Sequence, residues 1–279
     1  MKKLLGRYKY AVLLAALTLG MILAAPSREK PTLVFAVIPA EDAGRAHAQF
    51  TPMVEHLSQE IGIEVELLTV ADYAAAVEAL KYGHADFARF GPFTYVMAVE
   101  EAGAEIIATA VKASSGAASY TSMIITRADR DITSLEGASF AYVDVGSTSG
   151  YLAPHTYIVE AGIRLGEVFF AGSHNAVIEA VKNGTVDAGA VASNRYYVAL
   201  DEGVLAEGEV VVVWESDPIP NAPIAVRQGM DPALKAKILS AFLSAPQEVV
   251  EAMGIGETGY VSAADSDYDV IRRMQAIQE

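Results

Sequence analysis

Thr32-Leu-Val-Phe-Ala-Val-Ile38 is a continuous apolar run rich in β-branched residues, the pattern of a strand buried on both faces. Immediately downstream, Phe50, Met53, Val54, Leu57 and Ile61 recur at helical spacing, so residues 47–61 read as an amphipathic helix. The alternation continues with strand Glu64–Thr69, helix Tyr73–Lys81, strand Asp86–Phe90 and helix Thr94–Glu101, and then strands Ile106–Val111 and Ser119–Ile125. It restarts with strand 139–143, helix 150–162, strand 167–171, helix 174–183, strand 186–191, helix 194–201 and strand 209–214. A strand over 223–228 and helices near 231–243, 246–252 and 266–276 close the chain. Regular βαβ alternation predicts an α/β fold with mostly parallel sheets flanked by helices.

Two lobes fit this rhythm better than one sheet. Polar, Gly/Ser-rich Lys112–Ser119 separates the two runs, and Pro-rich Glu215–Pro223 returns the chain to the first. The expected lobes are therefore residues 32–115 plus 222–279 and residues 116–221, joined by two hinge crossings, as in a clamshell binding protein.

The 279-residue chain carries 20 Lys plus Arg against 35 Asp plus Glu. Four of the basic residues, Lys2, Lys3, Arg7 and Lys9, lie in the first ten positions. Without residues 1–25 the count is 16 basic against 35 acidic, a net charge of −19. So acidic a body excludes nucleic acid as a partner, which demands a basic surface. Cysteine is absent, which excludes disulfides, thiolate metal sites and a Cys nucleophile. The basic start precedes an apolar run, Ala11–Ala25, with the pattern of an export signal. Pro26 follows Ala25 directly and disfavours cleavage there, so the leader is either removed or retained as an N-terminal membrane anchor through residues 10–25. Residues 26–31 read as a tether. Either way the body is expected outside the cytoplasm, in the periplasm or its equivalent.

Few residues could carry chemistry. Asp144-Val-Gly-Ser-Thr-Ser-Gly150 follows a strand and opens a helix. Three hydroxyls beside free N–H groups at the positive end of a helix dipole make an anion site. The stretch lacks the Lys of a Walker loop, and a nucleophile elbow would put Ser where Thr148 stands. His174, in Ala171-Gly-Ser-His-Asn175, occupies the next strand-to-helix turn of the same lobe, on the sheet edge where ligands bind. Tyr73 and Tyr120 sit where they could wall a pocket. The other histidines (His47, His56, His84, His155) show no metal-binding spacing.

Several segments together resemble the periplasmic substrate-binding proteins of phosphonate, phosphite and phosphate ABC importers. They are Ala85-Asp-Phe-Ala-Arg-Phe-Gly-Pro-Phe-Thr-Tyr95, Gly146-Ser-Thr-Ser-Gly-Tyr-Leu-Ala-Pro154 and Gly172-Ser-His174, with Asn183-Gly-Thr-Val-Asp-Ala-Gly189, Ser216-Asp-Pro-Ile-Pro220 and Tyr268-Asp-Val-Ile-Arg-Arg-Met274. The resemblance implies a two-lobed, type II periplasmic-binding-protein fold that closes on its ligand and presents it to a membrane permease. By match it implies that Ser147, Thr148 and Ser149 hold the phosphoryl oxygens, that His174 donates to the same group, and that Tyr73 and Tyr120 complete the pocket. It implies no cofactor, no metal, no enzymatic activity and a monomer. A ligand-sensing module of a membrane receptor or kinase system is the alternative, and an exported esterase using Ser147 or Ser149 with His174 is a weaker one. Family members that take aminoalkylphosphonates place two acids beside the ligand ammonium. Those positions here are Asn194 and Ala222, so phosphite or methylphosphonate is expected to outrank an aminophosphonate. Phosphate ranks behind them, because its fourth oxygen needs a partner.

Overall fold

The computed structural model describes residues 31–38, 43–112, 116–130, 132 and 134–278. The leader, the tether up to residue 30 and residues 113–115 of the first expected crossing lie outside the described residues. Among the described residues no helix is long and apolar enough to cross a membrane.

The molecule is two-lobed, and each lobe is built on one mixed sheet. In the first, β1 (Thr32–Val37) pairs in parallel with β2 (Glu64–Thr69) and β3 (Phe87–Arg89). Helices α1 (Ala43–Ile61), α2 (Tyr73–Lys81) and α3 (Pro92–Ala102) follow these strands. Beyond β3 the sheet turns antiparallel, through β12 (Pro223–Val226), β4 (Glu105–Lys112) and β13 (Glu257–Ser262). The second sheet repeats the scheme. Its parallel strands are β8 (Val168–Phe170), β7 (Phe140–Tyr142) and β9 (Ala188–Ala192), and β6 (Ser122–Arg127) and β10 (Val210–Glu215) join antiparallel.

Parallel pairing therefore covers only three strands per sheet, where the alternation predicts mostly parallel sheets. The antiparallel pairs lie at the crossings: β6 and β12 are the first strands of a sheet after a passage between lobes, and each runs antiparallel to both of its neighbours. The passages themselves pair. β5 (Ser119–Tyr120) and β11 (Ile219–Pro220) form a two-stranded antiparallel ribbon. The expected single strand 119–125 is thus two strands in two different sheets, interrupted at Thr121.

Burial explains the apolar runs. In the first lobe the Phe35 and Phe87 rings stack at 4.9 Å, and Phe242 of helix α7 (Pro232–Leu243) meets both edge-on. Such pairs add about 0.5–1.5 kcal/mol each beyond area burial. In the second lobe Phe140, Tyr142, Ile124 and Ile158 form one buried cluster, and Val177, Ile178 and Val181 of α5 (His174–Lys182) another. Strand β13 has no counterpart in the sequence reading. It is an edge strand, Glu-Thr-Gly-Tyr-Val-Ser, whose pattern is too polar to stand out from a loop.

Candidate ligand-binding site

The carboxyl ends of the parallel strands in both sheets open on one cavity of about 90 Å³, the position expected for ligand sites in α/β sheets. Tyr73, Tyr120, Ser147, Thr148, Ser149 and His174 all line it. So do Asn194 and Ala222, the positions where the resemblance places the acids of aminophosphonate binders.

The hydroxyl loop follows β7. Ser147 caps the next helix by accepting a hydrogen bond from Gly150 N–H at 3.1 Å. The first turn is a π-helix, Thr148–Leu152, which runs into α4 (Ala153–Glu160). Wide turns of this kind recur at functional sites. The flanking glycines are needed. A Cβ on Gly150 would lie 2.3 Å from Val143 Cγ2, and one on Gly146 would lie 2.6 Å from Tyr73 Cβ. Ser147, Thr148 and Ser149 are each only 2% exposed. The loop also touches the opposite lobe: Phe93 N–H donates to Thr148 Oγ1 at 2.8 Å, and Thr94 Oγ1 donates to Gly146 O at 3.1 Å. Thr148 Oγ1 also lies within hydrogen-bonding reach of the Tyr120 hydroxyl.

His174 is the first residue of α5, behind its cap Ser173. Its Nδ1 accepts a hydrogen bond from Ala192 N–H at 3.2 Å, which leaves the proton on Nε2. Burial, assisted by Arg195, pushes the imidazole down to about 3. His174 is therefore a neutral donor at physiological pH, with its tautomer fixed by the backbone. The phenols stay protonated as well: burial raises Tyr73 and pushes Tyr120 up to about 12, partly offset by Ser147 at Tyr73 and by Ser149 at Tyr120.

The facing wall carries charges that the sequence reading does not single out. Arg89 ends β3 and Lys112 ends β4, and both line the cavity. Glu257, at the start of β13, is paired in register with Lys112. Its Oε1 accepts from both Arg89 Nη2, at 2.5 Å, and Lys112 Nζ, at 3.0 Å. Burial opposes charge on all three groups. Glu257 nonetheless holds Arg89 charged, and the two cations keep Glu257 below the usual carboxylate range. Lys112 yields more, pushed down to about 8 by burial despite Glu257. Arg195 and Asn221 complete the polar lining. The available signal was a basic residue ending a mostly apolar strand, in Phe87-Ala-Arg89 and in Ile106-Ile-Ala-Thr-Ala-Val-Lys112.

A family model for the periplasmic substrate-binding protein of phosphonate ABC transporters matches residues 35–268. The chain is 31% identical to the phosphate-import protein PhnD of Mycolicibacterium smegmatis, over 87% of this chain and 84% of that protein. Among solved structures, a binding protein component of an ABC phosphonate transporter from Pseudomonas aeruginosa superposes with a TM-score of 0.81 at 26% identity, covering 90% of this chain and 87% of that one. PhnD1 of Prochlorococcus marinus, solved in complex with methylphosphonate, shares the fold with a TM-score of 0.79 at 19% identity, covering 88% of this chain and 97% of that one.

Proposed function

We propose, from the premise that this chain belongs to the periplasmic substrate-binding proteins of phosphonate ABC transporters, that it captures a small tetrahedral phosphorus oxyanion between its lobes and delivers it to an ABC permease. The observation that carries this reading is the convergence of Ser147, Thr148, Ser149, His174, Tyr73 and Tyr120 on one small cavity. Every one of them is a neutral hydrogen-bond donor, which is what a desolvated oxyanion requires. Charge-assisted hydrogen bonds contribute roughly 1.5–3 kcal/mol each, so four or five offset the anion's desolvation.

In this reading the lobes are residues 32–115 plus 222–279 and residues 116–221, and they hinge at Lys112–Ser119 and Glu215–Pro223. The ligand enters the open form and bridges the lobes, and it selects the closed form by its additional contacts there. Phosphate, phosphite and methylphosphonate all suit the cradle. 2-Aminoethylphosphonate does not, because Asn194 and Ala222 offer its ammonium no counter-ion and Arg89, Lys112 and Arg195 face the same cavity. Both walls come from one chain, so the site calls for no partner subunit and the protein acts as a monomer outside the cytoplasm.

A thermal-shift screen against these four anions plus sulfate and arsenate tests the reading, since a ligand that binds only the folded form raises the melting temperature. A phosphorus oxyanion giving the largest rise is the expected result. A screen in which none of the phosphorus compounds shifts the melt would defeat it.

A further inference from the structure

An anion seated on the hydroxyl loop and His174 presents at most three of its four tetrahedral corners to that wall. The fourth corner faces the other lobe, and there the lining is cationic. Arg89 and Lys112 share one carboxylate, that of Glu257, so among the described residues the buried cluster carries one positive charge in excess. The Glu257 side chain is 0% and that of Lys112 3% exposed, whereas 15% of the Arg89 side chain is open, and Arg89 lines the cavity. The Lys112 ammonium has three donors, and Glu257 takes one of them. A buried excess charge is costly unless something pairs with it. Among the described residues of this wall no second carboxylate pairs with the two cations, and the ligand supplies the counter-charge.

Resting on the function proposed above, we infer that Arg89 and Lys112 are specificity-determining residues that read an oxygen at the ligand's fourth corner, so that phosphate is preferred over phosphite and methylphosphonate. A hydrogen or methyl at that corner would leave the excess charge facing a group that cannot accept a hydrogen bond. This reverses the order expected from the sequence, where phosphate ranks behind the others for want of a partner. The cavity, of about 90 Å³, is several times the roughly 10–15 Å³ that one water occupies, room for the five heavy atoms of phosphate.

Phosphate and phosphite differ at that corner alone when both are dianions. The test is a pair of calorimetric titrations at such a pH, on wild type, Arg89→Gln and Lys112→Met. Each variant still leaves one cation to pair with Glu257. One charge-assisted hydrogen bond corresponds to about tenfold or more in affinity, so wild type is expected to bind phosphate at least about tenfold tighter than phosphite. That ratio is expected to shrink by at least about threefold in one variant or both, whereas a merely structural role would weaken both anions alike and leave the ratio in place. A wild-type ratio under about tenfold overturns the inference while leaving the proposed function standing, and so does a ratio that moves less than about threefold in both variants. If neither anion binds and methylphosphonate also fails, the proposed function falls with it.

Discussion

On one wall of the cavity Ser147, Thr148, Ser149 and His174 offer neutral donors held by a helix start and a backbone-fixed tautomer. On the other, Arg89 and Lys112 offer charge and depend on Glu257 to remain buried. The first wall is assembled from two short stretches of chain, with the half-buried Arg195 beside His174. The second joins residues 145 and 168 positions apart in sequence. In the proposed function the neutral dipoles cradle any phosphorus oxyanion, and in the inference drawn from the charged wall the buried cations, costly to install, discriminate among them. An acidic body at −19 repels anions at long range, so both walls act only after the ligand has entered.

Removing the counter-ion of the charged wall should have the largest effect. Glu257→Gln leaves two buried cations without their carboxylate, and loss of one member of a buried ionic group typically costs about 3–5 kcal/mol. Denaturant unfolding without ligand should show a loss of that size, partly restored by saturating phosphate. A loss below about 1 kcal/mol would mean that the cluster is better solvated than its burial indicates.

The neutral wall should respond in binding rather than in folding. Ser147→Ala, Thr148→Val and Ser149→Ala are each expected to weaken the tightest ligand by roughly 1–3 kcal/mol. Ser147→Ala should also lower stability by about 1 kcal/mol as a lost helix cap. Thr148→Val, which in addition loses the acceptor for Phe93 N–H, should be the most damaging of the three to ligand-driven closure. Calorimetry on the three variants separates these outcomes.

The walls should also differ in pH response. Lys112 is pushed down to about 8 in the free protein, and a bound anion stabilises its ammonium and raises that value. Binding above pH 8 therefore takes up a proton, and affinity falls as pH rises, by at most tenfold per unit. Phosphate remains a dianion over this range, Arg89 stays charged, and Tyr120 titrates only near 12. His174, neutral down to about 3, adds no slope. Lys112→Met should flatten the profile measured above about pH 8, where phosphate is a dianion, and an unchanged slope in that variant would assign the proton elsewhere.

The smallest signal is mechanical. Hinging at the two crossings should compact the protein on ligand binding without changing its helix content, visible as a reduced radius of gyration in small-angle scattering. Superimposable curves with and without ligand would argue against closure.

The neutral wall was legible in the sequence and the charged wall was not, for a physical reason. Three consecutive hydroxyls between Gly146 and Gly150 form a local signal, and a strand-to-helix turn is set by local periodicity. Strand Glu64–Thr69 and helix Tyr73–Lys81 have the bounds expected from periodicity alone. Whatever required knowing which strand lies beside which was hidden. The polar edge strand Glu257–Ser262 reads as loop, the crossing 119–125 conceals a change of sheet, and the antiparallel entry of Ser122–Arg127 and Pro223–Val226 leaves no mark on composition. Arg89 and Lys112 each look like a charge ending an apolar strand until β13 brings Glu257 between them.

The most direct test of the cradle is a calorimetric titration of the combined variant Ser147→Ala/Thr148→Val/Ser149→Ala beside wild type, with a melting curve to establish that the variant is folded. Wild type should bind a phosphorus oxyanion at one site per chain, and the folded variant should show no measurable heat with the same ligand. A folded variant that binds as wild type does would contradict the account.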